Sequence, residues 1–484
     1  MLPLPVETVE PLMEPVLLWC VRGSATVVIG ADETTLAEGD GLWVPVGARM
    51  GLAIGHRDVV LPVPGIGNGD ASTAMRVVIP PSWRPWILHA FGEALVYLDG
   101  ESSRDRLSAL LGRARREASS IAPPAAPSSP ELGVLAAAIE RTPALPVAEL
   151  ARRFLPGWSP RTLQRRFVQE TGLTPGSWAR RHRLELAARL LAAGGEVHPV
   201  AQRVGYATVS GFSRQFSRAM GMAPGRWRDT SGPRGMTVLR PAPIDHGERL
   251  PPQRTWLRAN GAHVAVWIVQ GTATVTVAGG ETTLAQGDAM VIPAGMPNSI
   301  RVSRGSLLLP VGYRSGRSVG VALPDAPATV TEADEVDMLH AMVSAYTPVR
   351  ARGADVFAGI DRVLAAAGGA PTDDDVAVAA VASALATGEV ADETLAGCAA
   401  WLGVSERELS RIVNRRTGLT FAQWLRVSRM SRARVQLHGG APASAVSRRL
   451  GYAHLPAFSR AFREVHGTSP RHVPVVSPRE RRTA

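Results

Sequence analysis

An internal repeat, which covers most of the chain, constrains its fold more than any other feature. SATVVIGADETTLAEGD at 24–40 recurs 248 residues later as TATVTVAGGETTLAQGD at 272–288. TGLTPGSW at 171–178 likewise matches TGLTFAQW at 417–424, at a shift of 246. Because ordered matches at nearly one shift do not arise by chance, the chain is predicted to carry one two-part sequence twice, in the order A–B–A′–B′.

The A parts show the alternation of apolar and polar residues that is typical of β-strands. ATVVI in A and ATVTVA in A′ are followed by Gly-Asp turns, which predicts short antiparallel strands that close into a small barrel. Helical patches are predicted after each barrel, at 86–113 and 332–367. The stretches at 115–133 and 231–255 are rich in Pro, Ser and Gly and are interpreted as linkers, the second of them long and flexible.

Composition narrows the class of protein. A chain of 484 residues that is 45% hydrophobic can form three or four domains. We expect a cytoplasmic protein, since no apolar run reaches the length of a membrane span and the N-terminus is acidic where a signal peptide would be basic. Cys20 and Cys398 are too few for a disulfide framework or a zinc site and are expected to be buried.

The positive charge is concentrated in the B parts. The net charge is +11, whereas 141–230 carries 15 Arg against 5 acidic residues and 391–480 carries 14 against 6. The rest of the chain is therefore negative. Two separate basic segments of similar size favour binding to a polyanion such as DNA over an ordinary solvated face.

Each B part has the pattern of two helix-turn-helix motifs. In B, VAELARRF at 147–154 predicts a helix, and Ser159 is the predicted N-cap of a second helix with Pro160 at its first position. Leu163 and Phe167 lie four residues apart and would face the core. The remaining face is rich in Arg and Gln, whose paired donors and acceptors match guanine and adenine edges in the major groove.

A predicted connecting helix ends at Gly194 and Gly195 and leads to a second motif whose turn is at Gly205. B′ repeats this plan. Its last helix is expected to start near His454, which would place Pro456 in the first turn, where a missing amide donor is tolerated.

The combination SPRTLQRRF, TGLTP, GY, FSR and a later Gly and Pro resembles the DNA-binding domain of the AraC/XylS family, over about 90 residues in each copy. The resemblance implies a sequence-specific, DNA-binding transcription regulator. Carried over residue by residue, the family's base-contacting positions fall in B on Arg161, Gln164, Arg165, Val209, Ser210, Ser213 and Arg214, and in B′ on Arg407, Ser410, Arg411, Leu455, Pro456, Ser459 and Arg460.

The two copies share four of these seven positions, among them the arginine pairs Arg165 with Arg411 and Arg214 with Arg460, and differ at the other three. They are therefore expected to read different base sequences. The turn before the first recognition helix is two residues longer in B than in B′, which is expected to tilt that helix differently.

The A parts resemble the cupin-like sensor barrel of the same family through LAEGDGLWVPVGA and LAQGDAMVIPAGMP. A metal-binding cupin needs several His and a carboxylate that converge inside the barrel. Met50 and Asn298 stand where the family often has His, and His56 and His263 are isolated in the sequence. We therefore expect no metal, no cofactor and no catalytic residue, while the residues that would bind an effector remain unassigned.

The predicted fold class is multidomain α+β, with two small cupin-like β-barrels that alternate with two all-α domains, each containing two helix-turn-helix motifs. The predicted bounds are 1–114 for the first sensor domain with its C-terminal helices, 115–133 for a linker, 134–230 for the first DNA-binding domain, 231–255 for a linker, 256–368 for the second sensor domain with its helices, and 369–478 for the second DNA-binding domain.

The expected partners are double-stranded DNA, a small-molecule effector and RNA polymerase, and no membrane. The two barrels share one chain, so they are expected to pair within it as a pseudo-dimer, with a homodimer as the alternative. Two other functions stay open: a duplicated interaction protein that has lost specific DNA binding, and a cupin enzyme fused to DNA-binding domains. Salt-dependent DNA titration tests the first, and metal analysis tests the second.

Overall fold

The structure, a computed structural model, describes residues 4–7, 11–67, 73–96, 99–119, 124–192, 194–220, 223–230, 236–317, 321–322, 327–331, 335–350 and 353–473. The chain divides into two units by its internal contacts. The first unit comprises Met1–Thr73, Ile79–Ala109 and Ala242–Ala484, and the second comprises Ala74–Val78 and Leu110–Pro241. Within the described residues the fold is α+β, as the sequence predicts.

The strands, in chain order, are β1 (Leu4–Glu7), β2 (Val16–Arg22), β3 (Ser24–Ile29), β4 (Asp32–Ala37), β5 (Asp40–Val44), β6 (Met50–Ile54), β7 (Val59–Pro64), β8 (Met75–Val78), β9 (Asp99–Gly100), β10 (Val238–Leu239), β11 (Gln253–Arg254), β12 (Arg258–Ala259), β13 (Ala262–Gln270), β14 (Thr272–Val277), β15 (Gly280–Ala285), β16 (Asp288–Ile292), β17 (Pro297–Val302), β18 (Leu307–Ser315) and β19 (Ala328–Thr329).

The helices are α1 (Arg84–Val96), α2 (Ser103–Ser119), α3 (Pro130–Arg141), α4 (Val147–Phe154), α5 (Pro160–Thr171), α6 (Pro175–Ala192), α7 (Val197–Arg203), α8 (Val209–Met220), α9 (Pro224–Thr230), α10 (Glu335–Tyr346), α11 (Ala358–Ala367), α12 (Asp373–Thr387), α13 (Leu395–Leu402), α14 (Glu406–Thr417), α15 (Phe421–His438), α16 (Ala443–Arg449) and α17 (Leu455–His466). Among the described residues, none of the helices is both long and apolar enough to span a membrane.

The first unit contains two groups of strands with the same order. In the first β-module (β2–β7), β6, β3 and β4 lie side by side in one sheet, and β5, β2 and β7 lie in another. In the second β-module (β13–β18), β17, β14 and β15 correspond to the first set, and β16, β13 and β18 to the second. Apolar residues from both sheets of the second module, such as Val275, Ile292 and Leu308, share one buried cluster. Strand alternation therefore produces the same two-sheet arrangement in both repeats.

Helices α1 and α10 each pack on both β-modules. Helix α1, which follows the first module, packs on β18 of the second, and α10, which follows the second module, packs on β7 of the first. The first contact is close at Gly92, because a Cβ there would lie 3.3 Å from Cδ2 of Leu309. An ion pair of 2.5 Å between Arg84 and Glu335 joins the starts of the two helices.

The second helical module (α12–α17) completes the first unit. One apolar cluster joins α12, α13, α14 and the first half of α15 around Trp424, and another joins the rest of α15 to α16 and α17 around Phe458 and Phe462. Helix α15 is thus the common support of both motifs. It also touches the second β-module, because Nε1 of Trp424 donates to the carbonyl of Gly295 at 2.7 Å.

The second unit contains the first helical module (α3–α9). Leu163, Phe167 and Trp178 belong to one apolar cluster, and Phe212 and Phe216 belong to another, with α6 contributing to both. In the same unit β8 and β10 form a short parallel pair.

The segment 242–255 departs from the sequence prediction. It was expected to be part of a flexible linker, yet Ile244 and Leu250 are buried and β11 pairs with β17. Nε1 of Trp83 also donates to the carbonyl of Ala242 at 3.0 Å. The expectation of flexibility is therefore wrong for these residues, because apolar side chains within this Pro-rich sequence are buried against the rest of the unit. Residues 231–235 lie outside the described residues.

Candidate nucleic-acid interface

Helix α5 presents the first set of predicted base-reading residues. The hydroxyl of Ser159 accepts a hydrogen bond from the amide of Thr162 at 3.1 Å, and Pro160 occupies the first turn, so the predicted N-cap is confirmed. Arg161, Gln164 and Arg165 are exposed. They share one helix face because their spacing of three and four residues returns to the same side.

Helix α8 presents the second set. Its buried stripe consists of Phe212, Phe216 and Met220. Ser210 and Arg214 are exposed, whereas Ser213 is half-buried and Val209 packs at the edge of the core. The hydroxyl of Thr208 accepts from the amide of Gly211 at 3.2 Å, a cap that the sequence prediction missed.

Helix α14 is the counterpart of α5 in the second helical module. Ser405 caps it by accepting from the amide of Glu408 at 3.2 Å. Arg407 and Arg411 are exposed, and Ser410 is half-buried. Nη2 of Arg411 lies 2.6 and 2.7 Å from the two carboxylate oxygens of Glu408. This ion pair lowers the pKa of Glu408 and raises that of Arg411, so both groups are held in their charged forms.

Helix α17 is the counterpart of α8. It begins at Leu455 with His454 as N-cap, which confirms the predicted start and places Pro456 in the first turn. Pro456 and Arg460 are exposed, and Leu455 and Ser459 are half-buried. Phe458 and Phe462 are fully buried and fix the rotation of the helix.

The turns that precede these helices also agree with the sequence. Five residues separate α4 from α5, and three separate α13 from α14, as the two-residue difference predicts. Before α8, Gly205 has a φ of 83°, and a Cβ there would lie 2.5 Å from Cα of Ala144. Only glycine fits both the left-handed backbone and that approach.

The charges around the two helical modules differ. In the second module, arginines at the end of α14 pair with acids at the start of α12: Arg415 lies 2.6 Å from Asp374, and Arg416 pairs with Asp375. Arg429 and Arg432 of α15 share Glu393, whose pKa is lowered by these guanidinium groups although burial opposes the shift. Much of the positive charge on this module is thus matched within the module.

In the first helical module the predicted contact arginines are not matched in this way. Within the described residues, Arg161, Arg165 and Arg214 make no ion pair, and the position of Glu408 is occupied by Thr162. Arg166 lies over the ring of Trp158 at 5.2 Å. Arg407 and Arg460 in the second module also lack an ion pair, so Arg411 is the exception among the predicted contacts in the described chain.

Other polar residues singled out in the sequence have structural environments. His263 is buried, and its Nδ1 accepts from the amide of Ala294 at 3.0 Å. Asn298 is buried against Arg258, while His56 is exposed. In the part of the chain that the structure describes, no three His, Cys, Asp or Glu side chains come together as a metal site.

Both cysteines are free and buried, as predicted. Burial raises the pKa of Cys20 to about 12 and that of Cys398 to about 11, so neither thiol is ionised near neutral pH.

Comparison with known proteins agrees with this geometry. A family model described as a helix-turn-helix domain matches residues 150–230 and, again, residues 398–473. The HTH-type transcriptional regulator RipA of Corynebacterium diphtheriae is 32% identical over 298 residues, which cover 61% of this chain and 82% of RipA. RipA of Corynebacterium glutamicum is 31% identical over 300 residues, which cover 61% of this chain and 84% of that protein.

Among solved structures, one similar to this chain is ToxT from Vibrio cholerae, crystallised with an unsaturated fatty acid. It is 13% identical with a TM-score of 0.35, and the aligned region covers 46% of this chain and 90% of the ToxT chain. That likeness is too distant to carry an argument.

The helix-turn-helix matches and the exposed arginine-bearing helices define a DNA-binding transcription regulator. The aligned region covers more than two thirds of the length of each RipA protein, and each is more than 30% identical to this chain. The chain therefore belongs to the AraC-type family of HTH-type transcriptional regulators. The relatives carry the names of regulators and not of enzymes.

Proposed function

We propose that the chain is a tandem duplication that acts on DNA as a pseudo-dimer, with DNA-binding domains at 134–230 and 369–478 that read different half-sites. The observation that carries this proposal is the agreement of strand order in the two β-modules with the repeat in the sequence. The two matches to the helix-turn-helix family add support. In this proposal the β-modules are cupin-like sensor barrels that alternate with the DNA-binding domains.

The reciprocal packing of α1 on β18 and of α10 on β7 supports pairing within one chain. β7 and β18 occupy equivalent places in the two sheets, and α1 and α10 each follow their own module, so the contact resembles a two-fold interface between separate subunits. Because both copies of that face are already covered, a second chain would have to displace an internal contact in order to use it. We therefore expect a monomer.

Bases would be read by Arg161, Gln164, Arg165, Val209, Ser210, Ser213 and Arg214 in the first domain, and by Arg407, Ser410, Arg411, Leu455, Pro456, Ser459 and Arg460 in the second. The exposed arginines among them suit guanine, and Gln164 suits adenine. The half-buried residues, such as Val209 and Leu455, would touch a thymine methyl group from the edge of the core. Since the two sets differ, the operator would be asymmetric.

The rest of the proposal concerns regulation. A small-molecule effector would alter DNA binding, RNA polymerase would be the partner of the bound regulator, and the protein would work in the cytoplasm without enzymatic activity. The second helical module packs on the second β-module through Trp424 and Gly295. This contact supports the proposal that effector binding in the β-module changes the position of the DNA-binding helices.

Selection of bound genomic fragments by the full chain, combined with light scattering, tests the proposal. We expect a monomer in solution and a motif with two dissimilar halves. Arg165→Ala should weaken the base preference in only one half of the motif, and Arg460→Ala should weaken it only in the other half. A stable two-chain species would contradict the pseudo-dimer, and a palindromic motif would contradict different half-sites.

A further inference from the structure

The pairing of β11 with β17 places two arginines directly opposite each other. Arg254 of β11 is the partner of Arg301 of β17 in an antiparallel register, and both side chains are exposed. Side chains opposite each other in such a pair lie on one face, with Cβ atoms about 4.5 to 5.5 Å apart, and like charges there are destabilising. The sheet therefore carries a repulsion at this position.

The internal repeat shows that the fold does not need this arginine pair. Strand β6 is the counterpart of β17, and Ala53 precedes Arg301 by the repeat shift of 248 residues. In the first copy the partner of Ala53 is Pro5 of β1, so an uncharged pair occupies the equivalent place in the sheet. Because the strands pair there without charge, the two arginines of the second copy call for an explanation other than the fold.

The arginine pair lines a cavity of about 450 Å³ together with Arg304, which lies in the turn after β17. Buried Gln253 and Val302 also line this cavity. Its volume falls in the range of sites that bind small molecules, about 300 to 1,000 Å³. Three guanidinium groups therefore surround a space of the size of a small ligand.

A second cavity, of about 480 Å³, adjoins the first, because Arg304 and Glu101 line both. Arg249 lines the second cavity, and its side chain lies against the backbone of the turn after β17: a Cβ on Gly305 would be 3.6 Å from Cδ of Arg249. Arginines are thus spread over two adjoining cavities, with Arg304 common to both. This arrangement favours a ligand with two neighbouring anionic groups over a single small ion.

Three of these arginines are unpaired. Arg249, Arg254 and Arg304 make no ion pair within the described residues, although Asp99 is opposite Arg254 in the register of β9 and β11. Glu101 is exposed and forms no ion pair with them. Other polar side chains of the two cavities are already engaged, namely Arg301 with Glu281, Arg106 with Glu248, and Ser102 and Gln253 with Glu93. The free charge in the cavities is therefore positive.

We propose that the two cavities form one site for a small molecule that carries a diphosphate group, with one phosphate between Arg254 and Arg304 and the other between Arg304 and Arg249. The planar fork of donors on each guanidinium matches phosphate oxygens. Among the described lining residues Trp86 is the only aromatic side chain and it is buried, so the site recognises the diphosphate and offers no exposed ring for a base to stack on.

The site is separate from the predicted DNA contacts. None of the described lining residues lies in the second helical module, which carries α14 and α17. The proposal therefore does not rest on the proposed function. The phosphate backbone of DNA is the other occupant that arginines would suit, and it is distinguished by experiment.

Calorimetry on the full chain tests the site, with inorganic pyrophosphate as the probe. Inorganic phosphate is the control for a single phosphate, and citrate is the control for a similar charge carried on carboxylates. We expect pyrophosphate to bind about tenfold or more tightly than either control. Equal binding of citrate would reduce the site to general electrostatic attraction and overturn the proposal, as would the absence of pyrophosphate binding at about 1 mM.

Arg254→Gln and Arg304→Gln should each weaken pyrophosphate binding about tenfold, because each removes charged donors to the ligand. Arg57→Gln is the matched control. Arg57 is exposed, makes no ion pair within the described residues and lies in the turn between β6 and β7, the counterpart of the turn that holds Arg304. An equal loss in all three variants, or no loss in Arg254→Gln and Arg304→Gln, would overturn the site.

Thermal unfolding of the same variants gives a second readout. Without a probe, Arg254→Gln should raise the midpoint of unfolding slightly, because the repulsion from Arg301 is removed. Pyrophosphate should raise the midpoint of the wild type, since a ligand that binds only the folded state stabilises it, and should have little effect on the variant. A lower midpoint in Arg254→Gln without a probe would assign this arginine a structural role and contradict the argument from repulsion.

DNA affinity of the variants, measured without any probe, distinguishes the two occupants. We expect Arg254→Gln and Arg304→Gln to bind the selected operator as tightly as the wild type. A loss of DNA affinity in both variants, absent in Arg57→Gln, would assign these arginines to the DNA backbone and overturn the diphosphate site. A chain that binds DNA but no pyrophosphate refutes only the diphosphate site, so the two proposals fail separately.

Discussion

The pairing of Arg411 with Glu408 leads to a prediction that compares the two helical modules directly. Arg411 is held by Glu408, whereas Arg165, its counterpart, lies beside Thr162 and makes no ion pair within the described chain. Arg411 must leave the carboxylate in order to contact DNA, and Glu408 stays nearby as a negative charge. We expect Glu408→Gln to strengthen DNA binding and Thr162→Glu to weaken it.

The size of the effect follows from counterion release. One fully neutralised phosphate charge steepens the slope of log affinity against log salt by about 0.9, which over a fourfold rise in salt amounts to about 3.5-fold in affinity, and this is the upper limit for the released charge of a base-reading Arg411. Glu408→Gln should steepen the slope by up to this amount and Thr162→Glu should flatten it by up to the same amount. Fluorescence anisotropy with the full chain and a duplex containing the selected operator, at several salt concentrations, measures both slopes.

Glu406→Gln is the control, because Glu406 lies in the first turn of the same helix and is exposed, yet makes no ion pair with an arginine within the described residues. It removes the same charge without releasing Arg411. Equal effects of Glu406→Gln and Glu408→Gln would refute the reasoning and assign the change to charge alone. Weaker binding by Glu408→Gln would refute it differently, since Glu408 would then contact DNA itself, for example through a cytosine amino group.

Three further predictions concern other parts of the chain. Arg165→Ala should cost about 1 to 3 kcal/mol on the selected operator and little on unrelated DNA, and an equal loss on both would reassign Arg165 to a phosphate. Trp424→Phe should lower the free energy of unfolding by about 1 to 3 kcal/mol in urea, because the carbonyl of Gly295 loses its donor; an unchanged midpoint would contradict this. Burial lowers the pKa of His466 to about 4, so the unfolded chain binds this proton first and stability should fall as pH drops from about 6.5 to 4; His466→Leu should flatten that dependence, and an identical slope in the variant would exclude His466 as its source.

Features that depend on neighbouring residues could be predicted from the sequence. The caps at Ser159 and Ser405 and the start of α17 after His454 follow from hydrogen bonds and backbone preferences within one turn of helix. The two-residue difference between the turns was visible as a difference in spacing. The ion pair between Glu408 and Arg411 had a similarly local signal, an acid three residues before an arginine, which the sequence prediction overlooked.

The sequence by itself therefore determined the internal sequence repeat, the family and the helices that bear the predicted DNA contacts. Only the tertiary structure decided which distant groups meet: Arg415 with Asp374, 41 residues away, α1 with β18, and Arg258 with Asn298, 40 residues away. The physical reason is the distance along the chain over which each interaction acts. Caps and helix faces are set by interactions over three or four residues, whereas an ion pair or a cavity wall between distant segments depends on how complete elements pack, and no local pattern in the chain encodes that packing.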